Sequence, residues 1–270
     1  MNIVVTVKQV PETSSVKMDP ETGTMIRAGA SAVVNPLDLY AIETALRIRE
    51  DHGGTVTALS MGPPAAVKAV KEAVAMGCDD GVLVTDRRFA GSDTWATSYT
   101  LAAAIRVLGS CDLIICGERA TDGDTAQVGP GIAAWMDIPV ATYVSSVESV
   151  TDQCITVERL TEQGYQRVRV ALPSLITAVK EIGSPRLPTL RGKKRARQLD
   201  VRILSADDLA VDGANLGLKG SPTKVVKIDR PRVTRNGERH TTGSADGVSE
   251  AVEKLVTFLS DRGILSGGEQ

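Results

Sequence analysis

Short apolar runs alternate with segments of helical periodicity through the first 145 residues, and this constrains the fold more than any single motif does. The runs are Ile3–Val7, Thr55–Ser60, Gly81–Thr85, Asp112–Cys116 and Val140–Tyr143, and the helical segments are Pro36–Arg49, Ala65–Met76, Asp93–Leu108 and Thr125–Met136. A strand that is always followed by a helix must return to start the next strand in the same direction, so the pattern predicts a parallel sheet covered by helices on its faces. Ligands of such sheets collect outside the carboxyl ends of the strands. The segments after residues 7, 60, 85 and 116 are therefore the ones to search for chemistry. Asn35 followed by Pro36 reads as a helix N-cap with proline at the first helical position, and Gly77 stands where a helix would end.

The rest of the chain departs from this pattern. The polar stretch Val16 to Ile26 reads as a hairpin leaving the first strand. Ile155–Leu160 and Tyr165–Leu172 alternate apolar and polar residues around Thr-Glu-Gln-Gly, the mark of an antiparallel pair, and Pro173 leads into the apolar run Ser174–Val179. From Lys180 to about Arg239 no pattern persists, so this part is expected to be an arm or tail. A last helix, about Val248 to Leu259, carries Val248, Val252, Leu255, Val256 and Leu259 at helical spacing, which favours an arm that docks on something. The expected class is α/β, a Rossmann-like parallel sheet with flanking helices, a β-hairpin extension and a long C-terminal arm ending in a helix. The division is residues 1–191 for the α/β domain with its hairpin extension, and 192–270 for the extended arm and its terminal helix.

Composition excludes several functions. At 42% apolar residues the 270-residue chain can bury a substantial core. A net charge of −2, with two Trp, four Tyr and two Phe, argues against nucleic-acid binding. No apolar run is long enough for a membrane span, and the N-terminus enters a strand without a charged leader, so a soluble cytoplasmic protein is expected. Cys78, Cys111, Cys116 and Cys154 form no C-x-x-C, and His52 and His240 lie in polar, turn-like surroundings, so no metal site or Ser-His-Asp triad is expected.

The segment with the most chemistry is Gly117-Glu118-Arg119-Ala120-Thr121-Asp122-Gly123-Asp124-Thr125-Ala126-Gln127-Val128-Gly129-Pro130, which joins an apolar strand to an apolar helix. Its glycines let backbone N–H groups approach a ligand, and a helix starting near Thr125 turns its positive end toward an anion. It is neither G-x-G-x-x-G nor the P-loop, so backbone rather than lysine would hold a phosphate. The residues also suit an ordinary capped turn. A second segment, Asp86 to Thr97, opens a helix at a strand's carboxyl end. Thr94 and Thr97 lie one turn apart, and the helix start suits an electron-rich ring edge. The alternative is that Ser92 or Asp93 caps the helix while Trp95 packs inside.

These segments resemble the β subunits of electron transfer flavoproteins. The likeness runs through Val5-Thr6-Val7-Lys8-Gln9-Val10-Pro11, Asn35-Pro36-Leu37-Asp38, Ser60-Met61-Gly62-Pro63 and the 117–130 loop. It continues through Val157 to Tyr165, Leu172-Pro173-Ser174-Leu175-Ile176-Thr177-Ala178, and Ser184-Pro185-Arg186-Leu187-Pro188-Thr189-Leu190. The resemblance implies an α-subunit partner carrying FAD and a nucleotide on this subunit, AMP in one branch of the family and a second FAD in the electron-bifurcating branch. It implies that Thr6, Asn35, Leu37, Asp38 and Met61, with Gly117, Arg119, Asp122, Gly123, Asp124, Thr125, Ala126, Gln127, Val128, Gly129 and Pro130, line that nucleotide, while Lys8 stands after the first strand where a phosphate or flavin contact is one reading and a plain exposed lysine the simpler one.

The wording Asp122 to Pro130 looks like the FAD-binding form, and Asp93, Thr94 and Thr97 would then meet the flavin. In that reading NADH is the electron donor, the acceptors are an acyl-CoA dehydrogenase or related flavin dehydrogenase and ferredoxin or flavodoxin, and no side chain acts as acid, base or nucleophile. The alternatives are an AMP-binding subunit that docks on acyl-CoA dehydrogenase and a nucleotide-binding module without redox activity. By resemblance, Lys180, Ile182, Pro185 and Arg186 form the docking segment, with Ile182 as an exposed apolar peg. The basic run Lys193-Lys194-Arg195-Ala196-Arg197 reads as a solvated arm or a contact for an acidic partner.

Overall fold

A computed structural model describes residues 1–12, 32–226, 237–240 and 242–265, together with the backbone of 17–18 and 25–26. The chain separates into two compact units, Met1–Ile228 and Asp229–Gln270.

The first unit is a helix-covered sheet. Its strands are β1 (Asn2–Thr6), β6 (Thr55–Met61), β7 (Asp80–Val84), β8 (Leu113–Gly117), β9 (Val140–Val150), β10 (Cys154–Thr161), β11 (Gly164–Ala171), β12 (Ser174–Ala178) and β13 (Arg202–Leu204). The described residues form a nine-stranded sheet in the order β11-β10-β9-β12-β8-β1-β6-β7-β13. Pairing is parallel from β9 through β12, β8, β1, β6 and β7 to β13, while β10 pairs antiparallel with β9 and β11. The parallel sheet and the antiparallel pair follow the sequence reading, and the apolar run after Pro173 proves to be β12, between β9 and β8. A short side ladder pairs β2 (Gln9–Pro11) with β5 (Ala32–Val34). Beyond it β3 (Lys17–Met18) pairs antiparallel with β4 (Met25–Ile26), the expected hairpin; its turn lies outside the described residues.

Helices α1 (Asp38–His52), α2 (Val67–Met76), α3 (Thr94–Leu108) and α4 (Val128–Met136) connect the parallel strands. One buried cluster joins Ile3, Val5 and Ile115 to Ile42 and Leu46 of α1 and Val70 and Val74 of α2. The other joins Val4, Ile114 and Leu175 to Leu101 and Ile105 of α3 and Ile132 of α4. Adjacent residues of one strand enter different clusters because side chains alternate across a sheet, which is why these strands are apolar throughout. Burying each such Ile or Leu contributes about 2 kcal/mol relative to exposure.

Two boundaries differ from the sequence reading. Helix α4 begins at Val128 rather than Thr125, because Asp124 and Ala126 hold positive φ angles of 52° and 55° that no helix accepts. Asn35 is not the cap of α1; Leu37 occupies that position, and the Asn35 side chain makes longer-range bonds described below. Gly77 does end α2, at a φ of 141°, with its N–H bonded to the Ala73 and Val74 carbonyls.

The expected boundary at 191/192 falls inside α5 (Leu190–Gln198), whose Ala196 enters the first cluster, and β13 then extends the sheet. Leu209 and Leu216 join the second cluster, so residues up to the 220s are part of the body. Helix α6 (Gly217–Gly220) still belongs to the first unit, and the helix among the described residues of the second is α7 (Ala245–Ser260). Ser244 caps α7 by accepting from Gly247 N–H, and Val248, Val252, Leu255, Val256 and Phe258 are exposed on it.

Candidate functional site

The carboxyl ends of β1, β6, β7 and β8 carry most of the residues expected to bind. Three chain segments meet at Asp38, the first residue of α1. Lys8 N–H donates to its Oδ2 at 2.7 Å, and Asn35 Nδ2 donates to its Oδ1 at 2.8 Å. Asn35, fully buried, also reaches the loop after β8: its Nδ2 donates to the Arg119 carbonyl at 2.9 Å and its Oδ1 accepts from Thr121 N–H at 3.2 Å. Lys8 Nζ pairs with Asp122 at 2.6 Å. Gly117 is required here, since a Cβ would stand 2.3 Å from Asp38 Oδ1. Burial is the main influence on Asp38 and pushes its carboxyl up to about 7, against hydrogen bonds from Asn35 and Lys8 that favour the ion. Nearby, burial pushes the Cys116 thiol up to about 12, with the Thr6 hydroxyl acting in the opposite direction.

The loop from Thr121 to Thr125 is exposed. Asp124 N–H bonds to the Ala120 carbonyl and Gly131 N–H to the Gln127 carbonyl. Among the described residues, the N–H groups of Gly123 and of every residue from Thr125 to Gly129 donate to no protein acceptor. The positive φ of Ala126 is followed by right-handed helical angles at Gln127, the kind of alternation from which backbone anion nests are built. The N-terminal end of α4 adds its partial positive charge. Gly129 is needed for packing, because a Cβ there would come 2.8 Å from Thr177 Cγ2. Pro130, in the first turn of α4, has no N–H to leave unpaired. Arg119 lies 3.2 Å from Asp124 and 3.4 Å from Glu118 across the loop. The donor set therefore fits a phosphate or pyrophosphate group.

The segment after β7 follows the capping alternative at Asp93 and departs from it at Trp95. Asp93 caps α3 by accepting from Trp95 and Ala96 N–H, and its other oxygen accepts from Thr223 N–H and Oγ1 at 2.9 and 2.7 Å. Burial opposes its charge, but these donors hold its carboxyl below the usual range. Its lone pairs are thus used within the chain. Thr94 Oγ1 donates to Gln127 Oε1 at 3.0 Å, linking α3 to the loop, while Thr97 N–H bonds to the Asp93 carbonyl. Trp95 does not pack inside: it is 37% exposed and forms an aromatic group with Tyr99 and Trp135. A cavity of about 420 Å³ lies between α3 and α4, lined by Thr94, Trp95, Ser98, Gln127, Gly131, Ala134 and Trp135. Helical spacing of Trp95 and Ser98 facing Gly131 was the available sequence signal for this groove.

The expected docking segment also changes. Ile182 is half-buried against the first cluster and is not an exposed peg. Arg186 is engaged by Glu43 and Glu50 of α1, and Pro185 is half-buried. Lys180 is exposed beside Glu181. The exposed apolar side chains in this region are Leu187 and Leu190, at 86% and 87%. Their flanking prolines and basic residues were the signal that these leucines lack a core partner. Of the other expected residues, Leu37 opens α1 and Met61 ends β6 against the second cluster.

Comparison with known proteins decides the family. Residues 22–209 match the model of the electron transfer flavoprotein domain. The chain is 50% identical over 98% of its length, and all of the relative's, to the electron transfer flavoprotein subunit beta of Thermoanaerobacterium thermosaccharolyticum. The chain belongs to the electron transfer flavoprotein family. It is also 42% identical to subunit CarD of the caffeyl-CoA reductase-Etf complex of Acetobacterium woodii, over 98% of this chain and 100% of the relative. Protein FixA of Azorhizobium caulinodans is 43% identical, over 97% of each chain. Membership in the electron transfer flavoprotein family agrees with a mostly parallel sheet whose loops meet at the carboxyl end. Among the described residues no helix is long and apolar enough to cross a membrane, and no group of three or more His, Cys, Asp or Glu could hold a metal.

Proposed function

We propose that this chain is the β subunit of a cytoplasmic electron transfer flavoprotein and that it holds FAD on the 117–130 loop. The heterodimer formed with an α subunit would oxidise NADH and divide its two electrons. One share goes by way of the α-subunit FAD to an acyl-CoA or related flavin dehydrogenase, and the other to ferredoxin or flavodoxin.

The observation that carries nucleotide binding is the set of N–H groups at Gly123 and at 125–129, beside the start of α4, that find no acceptor among the described residues. A run of such donors suits a pyrophosphate. Lys8, Asn35, Asp38 and Asp122 hold that loop, Thr6 and Met61 end neighbouring strands, and Leu37 opens α1. The FAD reading rests on the Thr94–Gln127 bond and the aromatic-walled cavity beside it, which an AMP-sized ligand leaves unused. A bound flavin supplies hydride and one-electron chemistry, while the chain binds it, orients it and tunes its surroundings. No side chain needs to act as acid, base or nucleophile.

The relative from Acetobacterium woodii is named as part of a caffeyl-CoA reductase complex, which supports pairing with an enzyme of CoA thioesters. Leu187 and Leu190, with Lys180 nearby, are the side chains offered to that enzyme, and the apolar face of α7 is offered to the α subunit. A second reading has one observation in its favour: Asp93 is consumed within the chain, as an AMP-binding subunit without a flavin would allow.

The test is the nucleotide content of the co-produced α/β complex. Two FAD per heterodimer with no AMP is expected. One FAD and one AMP would replace this reading by the second, and no nucleotide on this subunit would remove both.

A further inference from the structure

Asp38 sits where the walls of the nucleotide site join. It is 6% exposed, both its oxygens accept, and its two donors come from different segments: Lys8 N–H after β1 and the Asn35 amide before α1. Asn35 spends the rest of its amide on the loop, at the Arg119 carbonyl and Thr121 N–H. The loop residues that these two bonds fix lie directly before the unpaired N–H groups. A shift at Thr121 therefore moves the anion site.

We propose that Asp38 is a positioning residue for the nucleotide loop, acting through Asn35, and that the loop is held in its binding shape only while Asp38 is ionised. An ionised carboxylate accepts from both donors. A protonated carboxyl carries an O–H on one of these two oxygens, which makes that oxygen a weaker acceptor and sets a proton against one of the donors, so Asn35 is held less firmly to Arg119 and Thr121.

The ionisable groups around Asp38 are few. Lys8 and Asp122 form an ion pair with each other; the lysine favours the carboxylate and the aspartate opposes it. Cys116 on β8 is a further neighbour among the described residues, and burial keeps it a neutral thiol through the working range. Burial brings the Asp38 carboxyl to about 7, so its protonation changes across neutral pH. The anionic ligand itself would repel an ionised Asp38. That effect makes binding tighter at low pH, whereas the positioning role makes it weaker, so the sign of the pH dependence separates the two.

This inference rests on the proposed nucleotide reading, and the experiment distinguishes failure of one from failure of the other. FAD is the probe because its pyrophosphate has no proton to lose between pH 6 and pH 8. Its dissociation constant would be measured on the nucleotide-stripped α/β complex across that range, for the natural chain and for Asp38→Asn. The positioning role predicts weaker binding at pH 6 than at pH 8 by roughly fivefold to tenfold, about one hydrogen bond's worth. It also predicts that Asp38→Asn binds weakly and without that slope.

A flat or opposite profile for the natural chain overturns the inference without needing the variant to fold. The same slope in Asp38→Asn also overturns it, because the titrating group then lies elsewhere. A purely structural Asp38 would lower affinity equally at every pH. If FAD binds at no pH, the proposed function fails first.

Discussion

The loops after β8 and after β7 begin alike, each rich in Asp, Gly and Thr at a strand's carboxyl end and each leading into a helix, but they use their polar groups differently. After β7, Asp86 accepts from Arg88 and from Ala206 N–H, and Asp93 takes donors from α3 and from Thr223. After β8, the N–H groups at Gly123 and 125–129 meet no protein acceptor among the described residues. A loop whose carboxylates are taken up by donors of its own chain is a structural joint; one with a run of consecutive unpaired N–H groups suits an anion. Counting satisfied groups thus separates two segments that composition treats as equals.

The comparison can be broken most severely at Gly117. Gly117→Val should destabilise the chain by about 4 kcal/mol, since its Cβ would fall 2.3 Å from Asp38 Oδ1 and the added methyls have no room. Denaturant unfolding would show it; a loss below about 1 kcal/mol would mean that the three segments are not tightly joined. Next is Asp124→Val, which puts a β-branched residue at a φ of 52°. It should weaken nucleotide binding by about a hundredfold while shifting stability by less than about 1 kcal/mol, because the loop is exposed. Full retention of nucleotide on extraction would separate this loop from the site.

A smaller effect is expected away from both loops, at Arg186. Burial opposes the charge of Glu43, but bonds from Arg186 and Arg47 outweigh it and hold that carboxyl below its ordinary value. A depressed carboxylate contributes stability that is present above its unfolded pKa of 4.5 and lost as pH falls through its lower folded value. Arg186→Ala should cost about 2 kcal/mol at pH 7 and much less at pH 3, as read from melting curves. An equal cost at both pH values would assign the loss to packing.

The smallest predicted change sharpens the comparison. Asp93→Ala should cost about 1 kcal/mol of stability through the lost cap and leave nucleotide affinity within about twofold. A larger fall in affinity would return Asp93 to the ligand shell that the sequence suggested.

Much of this was legible in the sequence where the signal is local. Strands β1, β6, β7 and β8 are apolar runs because both faces are covered, and α2 and α3 show their helical period between recognisable ends. Residues 190–204 were not legible because α5 is mostly basic and β13 spans only Arg202–Leu204, so their place depends on α2 and β7 rather than on their own pattern. The 117–130 loop announced itself through its glycines and acids. What stayed hidden was long-range: that Asn35 bridges to Arg119 and Thr121 instead of capping α1, that Ile182 is covered, and that Asp38 is buried with a raised pKa. A raised carboxyl has the opposite stability sign from Glu43, its contribution being present below the unfolded value of 3.8 and lost as pH rises through about 7.

The most direct test of the unpaired loop is amide hydrogen exchange of the α/β complex with its nucleotide bound and after removal. The predicted result is fast exchange at Gly123 and from Thr125 to Gly129 in the stripped complex, strong protection of those amides when nucleotide is bound, and little change from Asp86 to Asp93. Protection at 86–93 with none at 123–129 would contradict the account.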